Sequence, residues 1–190
     1  MDIVSFGAAR QPPRWVRSAL LFLLRARALN SDALLQAHGA AGGRLLVTAN
    51  HVSFLDGVLI ALTSPIPMHY AVEHEYAVRN RTTSAVLAFL AWLGCGTVVP
   101  LDAQAPHGIR TMLRLLDESK PVMIFPEGKI GTGEPEPHMP GLAWLVKKSG
   151  ATEFRIHIAG AEQSRIFAKA GLKWWPQITL VFGVPAASLG

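Results

Sequence analysis

The chain has 190 residues, half of them hydrophobic, a formal net charge of +5 and a sequence pI near 9.8. That length accommodates one domain with a real core, and a mean hydropathy of +0.28 points to a membrane-associated or very apolar protein. The one cysteine, Cys95, excludes an intrachain disulfide and suits a reducing compartment; basic chains meet nucleic acid, anionic lipid or acidic carriers, but no aromatics interleave on a basic stripe, so no nucleic-acid partner is expected.

Residues 1–10 carry Asp2 and no early basic run ahead of an apolar core, so no secretory signal is expected. "PPRWVRSALLFLLRARAL" opens on two prolines, which suit a helix start. Trp15, Val16, Ala19, Leu20, Leu23 and Leu24 can share its apolar face, with Arg14, Arg17, Arg25 and Arg27 at the edges. Too short to span a bilayer, residues 1–24 fit a helix lying in a membrane surface. They equally fit a core helix that runs into a first strand at "RARAL".

Beyond this point apolar strand-like runs alternate with helical stretches. Strands are expected at 44–49, 68–72, 97–101, 121–125, 154–160 and 177–183. Helices are expected at 54–63, 84–93, 106–119 and 141–150. The uncharged run Thr82–Leu101 is long enough to span, but its "GCGTVVPL" is poor helix material. A helix turning at Gly94 and Gly96 into a strand fits it better. The alternation predicts a single α/β domain over residues 1–190, with a largely parallel or mixed sheet of about six to seven strands flanked by helices. Strands apolar throughout are expected to be buried on both faces.

"NHVSFLDG" (50–57) sets His51 five residues before Asp56. Ser53 and Asp56 have the S-x-x-D spacing of a helix start close to a capping box, which is one full account of the aspartate. The same placement puts His51 just outside the helix and Asp56 in its first turn. A turn between them lets the carboxylate reach the imidazole, while the helix N-terminus favours its negative charge. A carboxylate on one imidazole nitrogen fixes the tautomer and makes the other nitrogen a better base. Ser53 as a nucleophile is disfavoured, since no G-x-S-x-G elbow surrounds it.

"PVMIFPEGKIGTG" (121–133) is a buried strand followed by Pro126, Glu127, Gly128 and Lys129. A Pro-x-Gly turn after a strand is common in its own right. A carboxylate, open backbone N–H groups and a lysine at a strand's C-terminal edge also lie where open α/β sheets bind ligands, and lysine meets phosphate as a point charge.

These two blocks, with "VVPLD" (98–102) between them and "IHIAGAE" (156–162) after, resemble the glycerophospholipid acyltransferases of the 1-acylglycerol-3-phosphate acyltransferase group. The resemblance runs from about Leu45 to Pro185. It is closest to the acyltransferase part of 2-acylglycerophosphoethanolamine acyltransferases, through "FPEGKIGTG", "KSGAT", "GAE" and "PQITL". That part is often fused to an acyl–carrier-protein synthetase, and these 190 residues hold no such domain.

The resemblance implies an acyl transfer from acyl-CoA or acyl-ACP to the free hydroxyl of a lysophospholipid or 1-acylglycerol-3-phosphate. It implies His51 as general base, Asp56 as its orienting partner, and Glu127 and Gly128 at the acceptor site, with Lys129 facing the phosphate. The reaction calls for no metal and no cofactor, and the enzyme is expected at the cytoplasmic face of a membrane. Two positions depart from the pattern. Asp102 is followed by Ala103 where the family often has arginine, and Lys129 stands where the close subgroup has arginine. Losing a bidentate guanidinium alters headgroup recognition more than the reaction. The alternative reading is a lipid-binding or scaffold module that keeps the fold without turnover.

Other groupings are weaker. His69, Glu73, His74 and Glu75 miss the H-x-x-E-H zinc spacing by one residue. Cys95 lies between glycines with no basic neighbour and reads as a small buried thiol. Lys147 and Lys148 suit the negative end of a helix, and Trp174 and Trp175 fit either an interfacial anchor or the core.

Overall fold

A computed structural model describes residues 13–73, 97–101, 106–132 and 141–184. Seven strands form one sheet among them: β1 (Ala26–Leu29), β2 (Leu45–Ala49), β3 (His69–Glu73), β4 (Thr97–Leu101), β5 (Val122–Ile124), β6 (Thr152–Ala159) and β7 (Ile178–Phe182). Their order is β1-β7-β6-β2-β5-β3-β4, parallel throughout except for the antiparallel pair β6–β7. The expected mixed α/β sheet is therefore present, with β2 at its centre and every residue of β2 buried.

Side-chain alternation along the strands divides the core in two. Leu45, Val47 and Ala49 of β2 join Phe154, Ile156 and Ile158 of β6 and Ile178, Leu180 and Phe182 of β7 on one face. Leu34 of α2 (Asp32–Ala40) and Leu59 and Ile60 of α3 (Asp56–Thr63) cover that side. Leu46, Val122 and Ile124 point the other way, against Met112, Leu115 and Leu116 of α4 (Pro106–Asp117) and Leu142 and Leu145 of α5 (Gly141–Ser149).

The N-terminal helix departs from expectation. α1 spans only Arg14–Leu23, and Arg25, at φ +49°, turns the chain into β1. Arg25 and Arg27 are therefore not on the helix at all. Arg17 turns inward: its Nε donates to the Leu62 carbonyl at 2.7 Å and Nη2 to that of Ser64 at 3.1 Å. It thus satisfies carbonyls at the end of α3 that have no partner within the helix. Val16, Leu20, Leu21 and Leu24 pack with Leu62, so one face belongs to the core. Trp15, Phe22 and Leu23 point out, 74%, 83% and 61% exposed. The strand expected at "RARAL" is β1.

Helix α2 has no counterpart in the sequence reading, because it buries only Leu34 and ends near Gly39, which leaves almost no periodic signal. The helix expected at 84–93, Cys95, Asp102 and Ala103 lie outside the described residues, as do residues 1–12. No helix among the described residues is long and apolar enough to cross a membrane.

At the start of β3, burial and then the nearby Lys120 ammonium hold the His69 pKa below its ordinary value of 6.5. As pH falls, the unfolded chain binds this proton before the folded one does. The contribution is thus fully present above the ordinary histidine range and is lost as pH drops through it. Urea unfolding between about pH 8 and pH 5 is expected to show this decline. His69→Gln should flatten it, and an unchanged slope would exclude His69 as its source.

Candidate active site

His51 follows the central strand β2, and the loop 125–131 follows its neighbour β5, which runs parallel to it. Both segments therefore emerge at the carboxyl edge of the sheet, where open α/β folds place ligands. Asn50 locks the exit of β2. Its Nδ2 donates to the Ile158 carbonyl at 2.8 Å, and its Oδ1 accepts from the Ile158 N–H at 2.7 Å. The backbone of His51 is held on both sides by the β5 loop. Its N–H donates to Glu127 Oε2 at 2.9 Å, and its carbonyl accepts from the Gly131 N–H at 2.7 Å.

The imidazole lies flat on Phe125, ring centroids 4.0 Å apart and planes 14° from parallel. Its Nδ1 is 3.0 Å from Asp56 Oδ2. Asp56 is fully buried. Its carboxylate also accepts from the N–H groups of Val52 (2.6 Å) and Ser53 (2.7 Å) and from the Ser53 hydroxyl (2.5 Å). A carboxylate only accepts, so Nδ1 carries the proton and Nε2 the lone pair. Nε2 has no hydrogen-bond partner among the described residues and is open to solvent, on a side chain that is 20% exposed. The arrangement fixes the ring between Asp56 and Phe125 and leaves Nε2 for a further partner.

The capping box forms only by half. Asp56 begins α3 and its side chain returns to the Ser53 N–H, but the Ser53 hydroxyl accepts from the Leu55 N–H (3.2 Å) instead of capping the Asp56 N–H. The hydroxyl hydrogen goes to Asp56, and Ser53 is 1% exposed, which removes it as a nucleophile.

The β5 loop turns at Gly128, whose φ of +68° most L-residues resist, and its N–H donates to the Phe125 carbonyl at 3.1 Å. This turn sets Glu127 against the His51 backbone. One carboxylate oxygen of Glu127 thus positions the histidine, a role the sequence reading, which placed Glu127 with the acceptor, did not foresee. Lys129 is exposed on the same turn.

Structure and sequence agree on bringing His51, Asp56, Glu127, Gly128 and Lys129 to one edge. Asn50, Phe125 and Gly131 are added by the structure. Asn50 and Phe125 lie inside the two quoted blocks, and their apolar or amide character alone carries no signal of this use. Of the suspected zinc set, His74 and Glu75 lie outside the described residues, and no group of three or more metal-ligating side chains occurs among those described. Lys147 and Lys148 do lie in the last turn of α5.

A family model described as Acyltransferase matches residues 30–161. Among solved structures, the crystal structure of the 1-acyl-sn-glycerophosphate (LPA) acyltransferase from Thermotoga maritima is similar in fold. The TM-score is 0.54 at 14% sequence identity, over 88% of this chain and 69% of that one.

Proposed function

From the premise that the chain belongs to the Acyltransferase family, we propose that it moves a fatty acyl group from a thioester to a lysophospholipid-type hydroxyl. The observation that carries this is the His51–Asp56 pair with Nε2 open at the sheet edge. Nε2 takes the proton of the acceptor hydroxyl as its oxygen attacks the thioester carbonyl. The tetrahedral adduct then collapses, the C–S bond breaks, and the leaving sulfur takes the proton from the imidazolium. The products are an oxygen ester and a free thiol. Asp56 holds the ring and balances its transient charge.

The donor is acyl-CoA or acyl-ACP, and the acceptor a lysophospholipid or 1-acylglycerol-3-phosphate, with the ethanolamine headgroup favoured by the motif likeness. Glu127, Gly128 and Lys129 border the acceptor site. The protein works at a membrane surface, on its cytoplasmic face, where amphiphilic substrates gather; the outward side of α1 supports this placement. Holding two amphiphiles at one site supplies much of the rate. The test is thiol release from acyl-CoA and acyl-ACP in the presence of lysophosphatidate, lysophosphatidylethanolamine and lysophosphatidylglycerol. A lipid-binding module without turnover would release none with any pair.

Lys129→Ala is expected to raise the KM for the phosphate-bearing acceptor several-fold more than that for the donor, since an exposed ammonium meets phosphate as a point charge. Equal changes in both KM values would remove Lys129 from the headgroup site.

A further inference from the structure

Residues 164–175 form a closed loop with large apolar side chains on its outside. Ser164 bridges Lys173; the Arg165 N–H donates to the Lys173 carbonyl, and the Lys173 N–H to that of Gln163, both at 2.8 Å. Gly171 packs so tightly that a Cβ there would lie 2.3 Å from the Ser164 carbonyl oxygen. The loop is thus built, yet it exposes Ile166 (56%), Leu172 (87%), Trp174 (67%) and Trp175 (55%). Side chains left this open add little to folding, so their apolar character calls for a partner.

The loop adjoins α1. Trp175 Nε1 donates to the Leu23 carbonyl at 2.7 Å, and Arg25 Nη1 to the Trp175 carbonyl at 3.0 Å. The C-terminal end of α1, where Phe22 and Leu23 are exposed, therefore adjoins Trp175, and Trp15 is exposed two turns earlier on the same helix. Cations surround both. Arg25 lies 5.8 Å from the Trp175 ring centroid and Arg165 4.6 Å from that of Trp174. Arg14, Arg27 and Lys173 add to them, and the acidic residues nearest in sequence, Asp32 and Glu162, lie just outside 13–31 and 163–175. Indole rings beside guanidinium groups suit the boundary between acyl chains and headgroups. A second copy of this chain would set these cations against their own kind, whereas anionic lipid would neutralise them.

We propose that the 164–175 loop is a second lipid-contacting element, joined to α1 as one docking surface for an anionic bilayer. The inference rests on the reading of the protein as an enzyme of lipid substrates. It also ties docking to the site. The loop's Phe167 carbonyl accepts from the Phe54 N–H at 2.8 Å, and Lys169 Nζ donates to the Ile130 carbonyl at 2.6 Å. The depth at which the loop sits therefore sets the height of His51 above the lipid.

The experiment uses the full chain with phosphatidylcholine vesicles, with and without phosphatidylglycerol, at low and high salt. Wild type is expected to prefer the anionic vesicles and to be partly released by salt. Leu172→Ser with Trp174→Ser, and separately Trp15→Ser with Phe22→Ser, should each weaken partition about tenfold, and all four together further. Brominated lipid should quench less fluorescence in Trp174→Phe than in wild type, a readout that does not depend on the serine pair folding. Unchanged partition of a folded Leu172→Ser/Trp174→Ser chain, or unchanged quenching in Trp174→Phe, overturns the proposal. A wild-type dimer that the loop substitutions turn into monomer overturns it too, in favour of a second copy. Transfer to a water-soluble short-chain lysophospholipid separates this inference from the enzymatic one. If wild type shows no transfer but binds vesicles through the loop, the enzymatic reading alone fails. If transfer persists and the loop substitutions leave binding intact, docking alone fails.

Discussion

His51→Ala is expected to reduce acyl transfer by about 10²–10⁴-fold while the chain stays folded. The rate falls because, among the described residues, no other side chain makes the hydrogen bond to Asp56 that orients a ring there. The fold survives because the backbone of residue 51 is held without the imidazole, by Glu127 on its N–H and Gly131 on its carbonyl. Asp56 keeps three of its four donors. The losses are one hydrogen bond and the stack on Phe125, at a half-buried position. Thiol release and a thermal melt on the same sample check both halves. Wild-type turnover in a well-folded His51→Ala chain would end the general-base assignment.

Substitution of Asp56 should separate orientation from stability. Asp56→Ala leaves the N–H groups of Val52 and Ser53 without an acceptor in a region where both residues are buried. Each such group costs about 1–3 kcal/mol, so a large fall in melting temperature is expected together with lost transfer. Asp56→Asn can keep one oxygen toward those N–H groups and turn its amide toward the Ser53 hydroxyl, which then accepts. Its stability should fall less. Its kcat should still drop on the order of 10²-fold or more, because a neutral amide does not balance the imidazolium formed in the reaction. KM should change little. If Asp56→Asn kept its kcat, the carboxylate would serve the fold alone.

Much of the fold was readable because burial leaves a local pattern. β2, β5 and β7 are short apolar runs, and the five residues of β4 coincide with the expected 97–101. The pair His51–Asp56 was readable for the same reason: the two residues are five apart, and one turn of chain decides whether they meet. Sequence by itself thus determined the α/β class, the edge of the sheet that gathers His51 and Glu127, and the partner of the histidine.

Tertiary structure decided what depends on residues distant in sequence. Glu127 reaches the backbone of His51 across 76 positions, because β5 inserts between β2 and β3 and pairs with both. Arg17 belongs to the interior because the carbonyls of Leu62 and Ser64 end a helix beside it. Trp175 meets Leu23 because β7 pairs with β1 across the sheet edge. Local periodicity records which side of an element is apolar, whereas the choice of neighbour follows from pairing the whole sheet at once.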